Sequence, residues 1–143
     1  MSEIQQFLLD NTKNFRDVQI IEFAPPEKWA HRIAKELYKD MKTTQLRKVF
    51  TKIKTLEIKV KGQKPDDKFN EPDLYMLIPH LAYAKGRKLI PPVFYDMMKT
   101  IIGDGKNGKI KTVEDFRRFV DFMTAIIAYH KEVSTAKGGN KHD

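Results

Sequence analysis

The stretch QLRKVFTKIKTLEIKVK, residues 45–61, reads as one amphipathic helix. At about 100° per residue, Leu46, Val49, Phe50, Ile53, Leu56 and Val60 share an arc of about 120°. Arg47, Lys48, Lys52, Lys54, Lys59 and Lys61 share the opposite arc of about 180°. Ile58 alone breaks the segregation. One face is suited to a core; the other is a cationic stripe. A merely solvated face usually mixes Glu with Lys at i and i+4. Here Glu57 is the only acid. Like charges crowded on one face cost stability until a counter-charge arrives, so the stripe points to a polyanion. Free N–H groups at the helix start also attract anions. Thr43 or Thr44 is expected to cap that start, and Thr43, Thr44 and Gln45 add side-chain donors.

The surrounding charge supports this reading. The chain has 143 residues, 27 Lys and Arg against 19 Asp and Glu, and a net charge of +8. Its pI is about 9.6, in the range that suggests a polyanion partner when the charge is clustered. From Lys39 to Lys61 there are eight basic residues and two acidic ones, a local balance of +6. Thr112 to Val133 carries three basic and four acidic residues. The basicity is therefore local. The length suits one domain. The chain lacks cysteine, which excludes disulfides, thiol catalysis and Cys-ligated metal sites. No apolar run approaches the roughly 18 residues of a membrane span. The opening Met1-Ser2-Glu3-Ile4-Gln5 has no secretory pattern, and a cytoplasmic location is expected.

Working outward from residues 45–61, the other apolar patterns are also helical. Trp29, Ile33, Leu37 and Met41 recur every four residues, predicting a helix opened by Pro25-Pro26 and ending near Asp40. Residues 62–72 form a polar loop. Leu74, Leu77, Ile78 and Leu81 predict a helix that Pro79 kinks or splits, with Gly86 as its C-cap. Pro91-Pro92 begins a helix carrying Phe94, Met97, Met98, Ile101 and Ile102. Thr112 with Asp115 resembles a capping box with Asp in place of Glu. It precedes a last helix through Phe116, Phe119, Met123, Ile126 and His130. The expectation is an all-α, compact bundle of about five helices over residues 25–133. A loosely ordered N-terminal arm occupies 1–24, in which Ile4, Phe7 and Leu8 suit a short helix and Ile20, Ile21 and Phe23 look extended. Residues 134–143 read as a disordered tail.

Several motifs fail on context. Gly103-Asp-Gly105-Lys-Asn-Gly108 matches G-x-G-x-x-G, and with Lys109 it also reads G-x-x-x-x-G-K. Ile110 stands where a phosphate loop needs Ser or Thr, and the segment before it has helical, not strand, spacing. A flexible turn is expected. The four histidines, His31, His80, His130 and His142, show no i, i+4 pairing with one another, so no metal site is expected. Ser134 has no evident His or Asp partner. With no nucleophile–base pair to nominate, neither catalysis nor a cofactor is expected.

A second basic spot, Lys85-Gly86-Arg87-Lys88, follows the aromatic Tyr83. Cations also suit a helix C-terminus, so this spot alone does not separate a binding role from a dipole effect. Three segments together carry a resemblance: Lys42-Thr43-Thr44-Gln45-Leu46-Arg47-Lys48-Val49-Phe50, Leu81-Ala82-Tyr83-Ala84-Lys85-Gly86-Arg87, and Val113-Glu114-Asp115-Phe116-Arg117-Arg118-Phe119 with Ala125–Lys131. In this order, over about residues 27–132, the chain resembles the small subunit of the Csm effector complex of type III-A CRISPR systems. The resemblance implies a non-catalytic helical protein of an antiviral ribonucleoprotein. Its copies would self-associate by stacking, or as a dimer, beside the backbone and large subunits of the complex. They would contact the guide RNA–target RNA backbone without sequence specificity. Carried over by position, Gln45, Arg47, Lys48, Lys52, Lys54, Lys85, Arg87 and Lys88 are expected to face RNA. The alternative is a free-standing helix-turn-helix binder, for which Met41-Lys42-Thr43 is a short enough turn. The basic stripe, however, runs the whole length of its helix, which suits phosphate tracking better than insertion of one end.

Overall fold

The computed structural model describes residues 2–10 and 14–138. In chain order its helices are α1 (Glu3–Asp10), α2 (Ile20–Phe23), α3 (Trp29–Leu37), α4 (Thr43–Lys59), α5 (Asp73–Gly86), α6 (Pro92–Ile102) and α7 (Val113–Gly138). A 3-10 turn, Phe15–Asp17, lies between α1 and α2. Among the described residues the only β pairing is one bridge between Lys68 and Thr112. The all-α expectation holds, but the described residues contain seven α-helices rather than about five. The two additional ones are α1 and α2.

α7 is the central element. It packs against α3, α4, α2 and the 3-10 turn, while α5 packs on α6. Its buried Phe116, Phe119, Phe122, Met123 and Ile126 form the spine of the core. Phe7, Phe15 and Phe23 are buried in the same cluster. The described residues before Pro25 are therefore packed on the core rather than a loose arm. Their aromatics are spaced too widely for one helix period, but each docks on Phe122. Ile20, Ile21 and Phe23 are helical rather than extended, held by a capping box between Gln19 and Glu22. Backbone bonds fasten the segment as well. The Phe15 N–H donates to the Lys109 carbonyl, and the Tyr129 hydroxyl donates to the Ala24 carbonyl at 2.6 Å. The Arg118 guanidinium donates to the Val18 carbonyl.

Pro25-Pro26 does not open α3; it lies in the turn before it, and the helix begins at Trp29. Glu27 in that turn has a left-handed φ of 67°, which a helical start does not allow. Pro79 does not split α5. It removes one N–H donor, but Pro79 and Tyr75 are both exposed, so water can serve the freed Tyr75 carbonyl. Pro92 takes the first position of α6, as expected. The Thr112–Asp115 capping box is present: the Thr112 N–H donates to Asp115 at 2.9 Å and the Asp115 N–H donates to the Thr112 hydroxyl at 3.2 Å. Ser134 to Gly138 continue α7 instead of starting a disordered tail; the rest of that expected tail, residues 139–143, lies outside the described residues.

Candidate nucleic-acid interface

α4 presents its cations outward because its other face is held by the core. Leu46, Val49, Ile53 and Leu56 are buried, and α4 packs on α7. The start of α4 is held by a buried bracket rather than a cap. Lys42 is the N-cap residue, with no side-chain cap bond. Thr43, expected as a possible cap, is buried and bonds through its hydroxyl to His130 Nδ1 at 2.9 Å. His130 Nε2 lies 2.7 Å from the Met41 carbonyl. A carbonyl only accepts, so Nε2 carries a proton; in the neutral ring Nδ1 then accepts from the Thr43 hydroxyl. Ser134 does have a histidine partner, contrary to expectation: its hydroxyl lies 3.4 Å from His130 Nδ1, one turn away on α7. Both are buried, and the far ring nitrogen is bonded to backbone, so this contact braces the α3–α4 turn. The i, i+4 spacing of Ser134 and His130 was the signal that could have revealed it.

The side chains expected at the interface fall into two groups. Gln45, Arg47, Lys48, Lys52 and Lys54 lie along α4, with Gln45 half-buried and the other four exposed. Among the described residues no carboxylate is within salt-bridge distance of Arg47, Lys48 or Lys52. Lys54 differs, since it pairs with Glu57 at 2.6 Å and lies 5.8 Å from the Phe50 ring centre. Lys59 is also engaged, 3.0 Å from Asp73, and that hydrogen bond raises its pKa above the usual lysine value. The free charge on α4 is thus concentrated in its N-terminal half.

Lys85, Arg87 and Lys88 form the second group. Lys85 lies 4.5 Å from the Tyr95 ring centre, whose ring Lys99 also approaches at 5.0 Å. Gly86 is the last residue of α5 rather than its left-handed terminator. That role falls to Lys88, with φ 61°. The Lys88 N–H donates to the Lys85 carbonyl and the Leu89 N–H to the Ala84 carbonyl, both at 2.9 Å. This is the Schellman arrangement, with lysine where glycine is usual. The left-handed conformation costs a non-glycine residue about 1–2 kcal/mol. Glycine spacing in the sequence pointed to the wrong residue because the helix runs one turn-fraction further. α5 runs antiparallel to α4, with Lys59 meeting Asp73 and Lys52 and His80 lining one groove. That direction carries the second basic group back toward the N-terminal half of α4.

The glycine loop is a packed turn. Gly103 has φ 63°, and a Cβ there would come within 2.4 Å of the Gly108 Cα. The Asp104 carboxylate accepts the Lys106 and Asn107 N–H groups at 3.1 and 3.0 Å. Those bonds hold its pKa below the usual carboxylate value. Two of the loop's amides, those of Lys106 and Asn107, are thus already engaged, and the turn is closed tightly where Gly103 meets Gly108. Among the described residues, no three His, Asp or Glu side chains are grouped to hold a metal ion. Of the expected non-ligand histidines, His142 lies outside the described residues. No described helix is long and apolar enough to cross a membrane.

A small helical protein with one cationic, outward-facing helix is the class these features define. Residues 26–136 match the family described as Csm2 Type III-A, most of the chain, and the protein belongs to that family. It is a small structural subunit of the Csm complex of type III-A CRISPR systems. No curated protein and no solved structure matches it.

Proposed function

We propose that this protein is a non-catalytic RNA-binding subunit of a cytoplasmic, antiviral Csm ribonucleoprotein. Copies stack beside one another along the complex, and α4 follows the guide RNA–target RNA backbone without reading sequence. The observation that carries this reading is the row of exposed cations on α4, Arg47, Lys48 and Lys52, with no carboxylate within salt-bridge distance among the described residues. Arg87 and Lys88 extend the row at the end of α5, Lys85 lies half-buried over the Tyr95 ring beside them, and Gln45 adds a neutral donor. Phosphate contacts release counterions, so affinity falls steeply with salt.

For about four contacts on a single strand, the log–log salt slope is expected near −3, at about −0.7 per phosphate. Replacing Arg47, Lys48, Lys52 and Lys54 together with Ala should weaken binding to all RNA sequences alike and flatten that slope. Lys54→Ala alone should do least, because Glu57 already neutralises it. These residues are exposed, so circular dichroism should be unchanged. A quadruple variant with unaltered affinity and slope would reduce the stripe to a solvated face.

Stacking requires two different contact patches, one meeting the other on the next copy. Sedimentation of the isolated protein should therefore show weak, concentration-dependent association. A strict monomer at every concentration would place assembly wholly on the other subunits.

A further inference from the structure

The groove between α4 and α5 offers more than charge. Lys52, Thr55 and Leu56 line one wall, and Met76, Leu77 and His80 the other. Its volume is about 310 Å³. Leu56 and Leu77 are buried at its base, while Met76 is 52% exposed at its lip. Farther along α5 stands Tyr83, exposed to 68%. Positions 76, 80, 83 and 87 recur at helical spacing and so share one side of α5. The Arg87 guanidinium lies 5.8 Å from the Tyr83 ring centre.

Phosphate tracking by itself has no use for an exposed aromatic ring or an apolar slot. Unpaired nucleobases do. Each has a π-face that stacks on tyrosine or histidine, and adjacent cations serve the phosphates between bases. Charge also selects the occupant. Lys52 lines the groove, Arg87 stands beyond it beside Tyr83, and the acid that lines it, Asp73, is already taken by Lys59.

We infer that the α4–α5 groove grips an unpaired stretch of RNA. One base stacks on Tyr83, the next reaches His80 beside Met76, and Lys48, Lys52 and Arg87 hold the phosphates. This rests on the RNA reading above and deepens it, from backbone tracking to holding unstacked bases. Stacking is indifferent to base identity, so the site stays non-specific in sequence while preferring single strands.

The test uses the full chain with an oligouridylate of about twelve nucleotides, within the span that single-strand grooves cover, and a blunt RNA duplex of the same length. Tyr83→Ala should weaken oligouridylate binding at least about fivefold and duplex binding by less than about twofold. Tyr83→Phe should bind like the unaltered protein, because the ring remains. His80→Ala should shift binding in the same direction as Tyr83→Ala, by less. Equal losses on both RNAs would overturn the inference and leave Tyr83 a support for its neighbouring cations. Unchanged oligouridylate binding with the salt slope intact would overturn it while the RNA reading stands. Unchanged RNA affinity with weakened sedimentation-detected association would assign the Tyr83 face to a second copy. Failure of the unaltered protein to bind either RNA would overturn the RNA reading itself, and this inference with it. Melting curves should be nearly unchanged in each variant, since both side chains are exposed.

Discussion

Phe122→Ala is expected to cost about 3–5 kcal/mol, the range for emptying a buried aromatic position. The Phe122 ring is fully buried on α7. Its centre lies 4.7 Å from Phe7, 5.3 Å from Phe15 and 5.5 Å from Phe23. Those rings come from α1, the 3-10 turn and α2, so one side chain anchors three successive pieces of the N-terminal segment. Each favourable aromatic pair adds about 0.5–1.5 kcal/mol beyond burial. A domain is held by about 5–15 kcal/mol in total, so the loss is a large fraction. Melting should fall by roughly 10 °C or more. Urea unfolding followed by circular dichroism measures the change. Phe7 and Phe122 stack with an interplanar angle of 9°, so the double alanine variant should lose less than the two single losses added together. A cost below about 1 kcal/mol would show that the N-terminal segment does not dock on α7 in solution.

Asp115→Ala should cost about 3 kcal/mol or more, by a different mechanism. The Asp115 carboxylate is buried. It accepts the Arg16 N–H at 2.8 Å on one oxygen and the Lys111 and Thr112 N–H groups at 2.9 Å each on the other. Alanine leaves three donors without this acceptor, each worth about 1–3 kcal/mol, and entering water recovers part of that. Asp115→Asn keeps one acceptor oxygen and should lose less. Hydrogen exchange at Arg16, Lys111 and Thr112 should accelerate in both variants. Asp115 bonds to Arg16, Lys111 and Thr112 and to none of the α4 cations, so the folded variant should keep the RNA salt slope of the unaltered protein. A changed slope would mean that Asp115 also shapes the binding face.

Five of the helices, α3 to α7, are legible as repeating apolar positions. Their turns are local, and a face 3.6 residues in period must meet a core. The outward stripe of α4 follows from the same arithmetic, since fixing Leu46, Val49, Ile53 and Leu56 inward sends Arg47, Lys48 and Lys52 outward. The Thr112–Asp115 box is legible too, because both partners lie within one turn. Part of what Asp115 does is not: its bond to Arg16 spans 99 positions.

Several of the features that local reading misplaced share that long reach. Phe7, Phe15 and Phe23 come from three separate elements, and Phe122, which meets all three, joins them in one cluster. Thr43 is a sensible cap by its position, but His130, 87 residues away, takes its hydroxyl. Lys54 and Lys59 look as free as Lys52 in a helical wheel. One is neutralised by Glu57 on the next turn and the other by Asp73, across the loop on α5. The composition and periodicity of the chain therefore determine its helical class and the location of its charge. Whether Lys59 remains free, and which short segments become core, depends on partners outside the element itself, because burial and hydrogen bonding act through space and periodicity acts only along the chain.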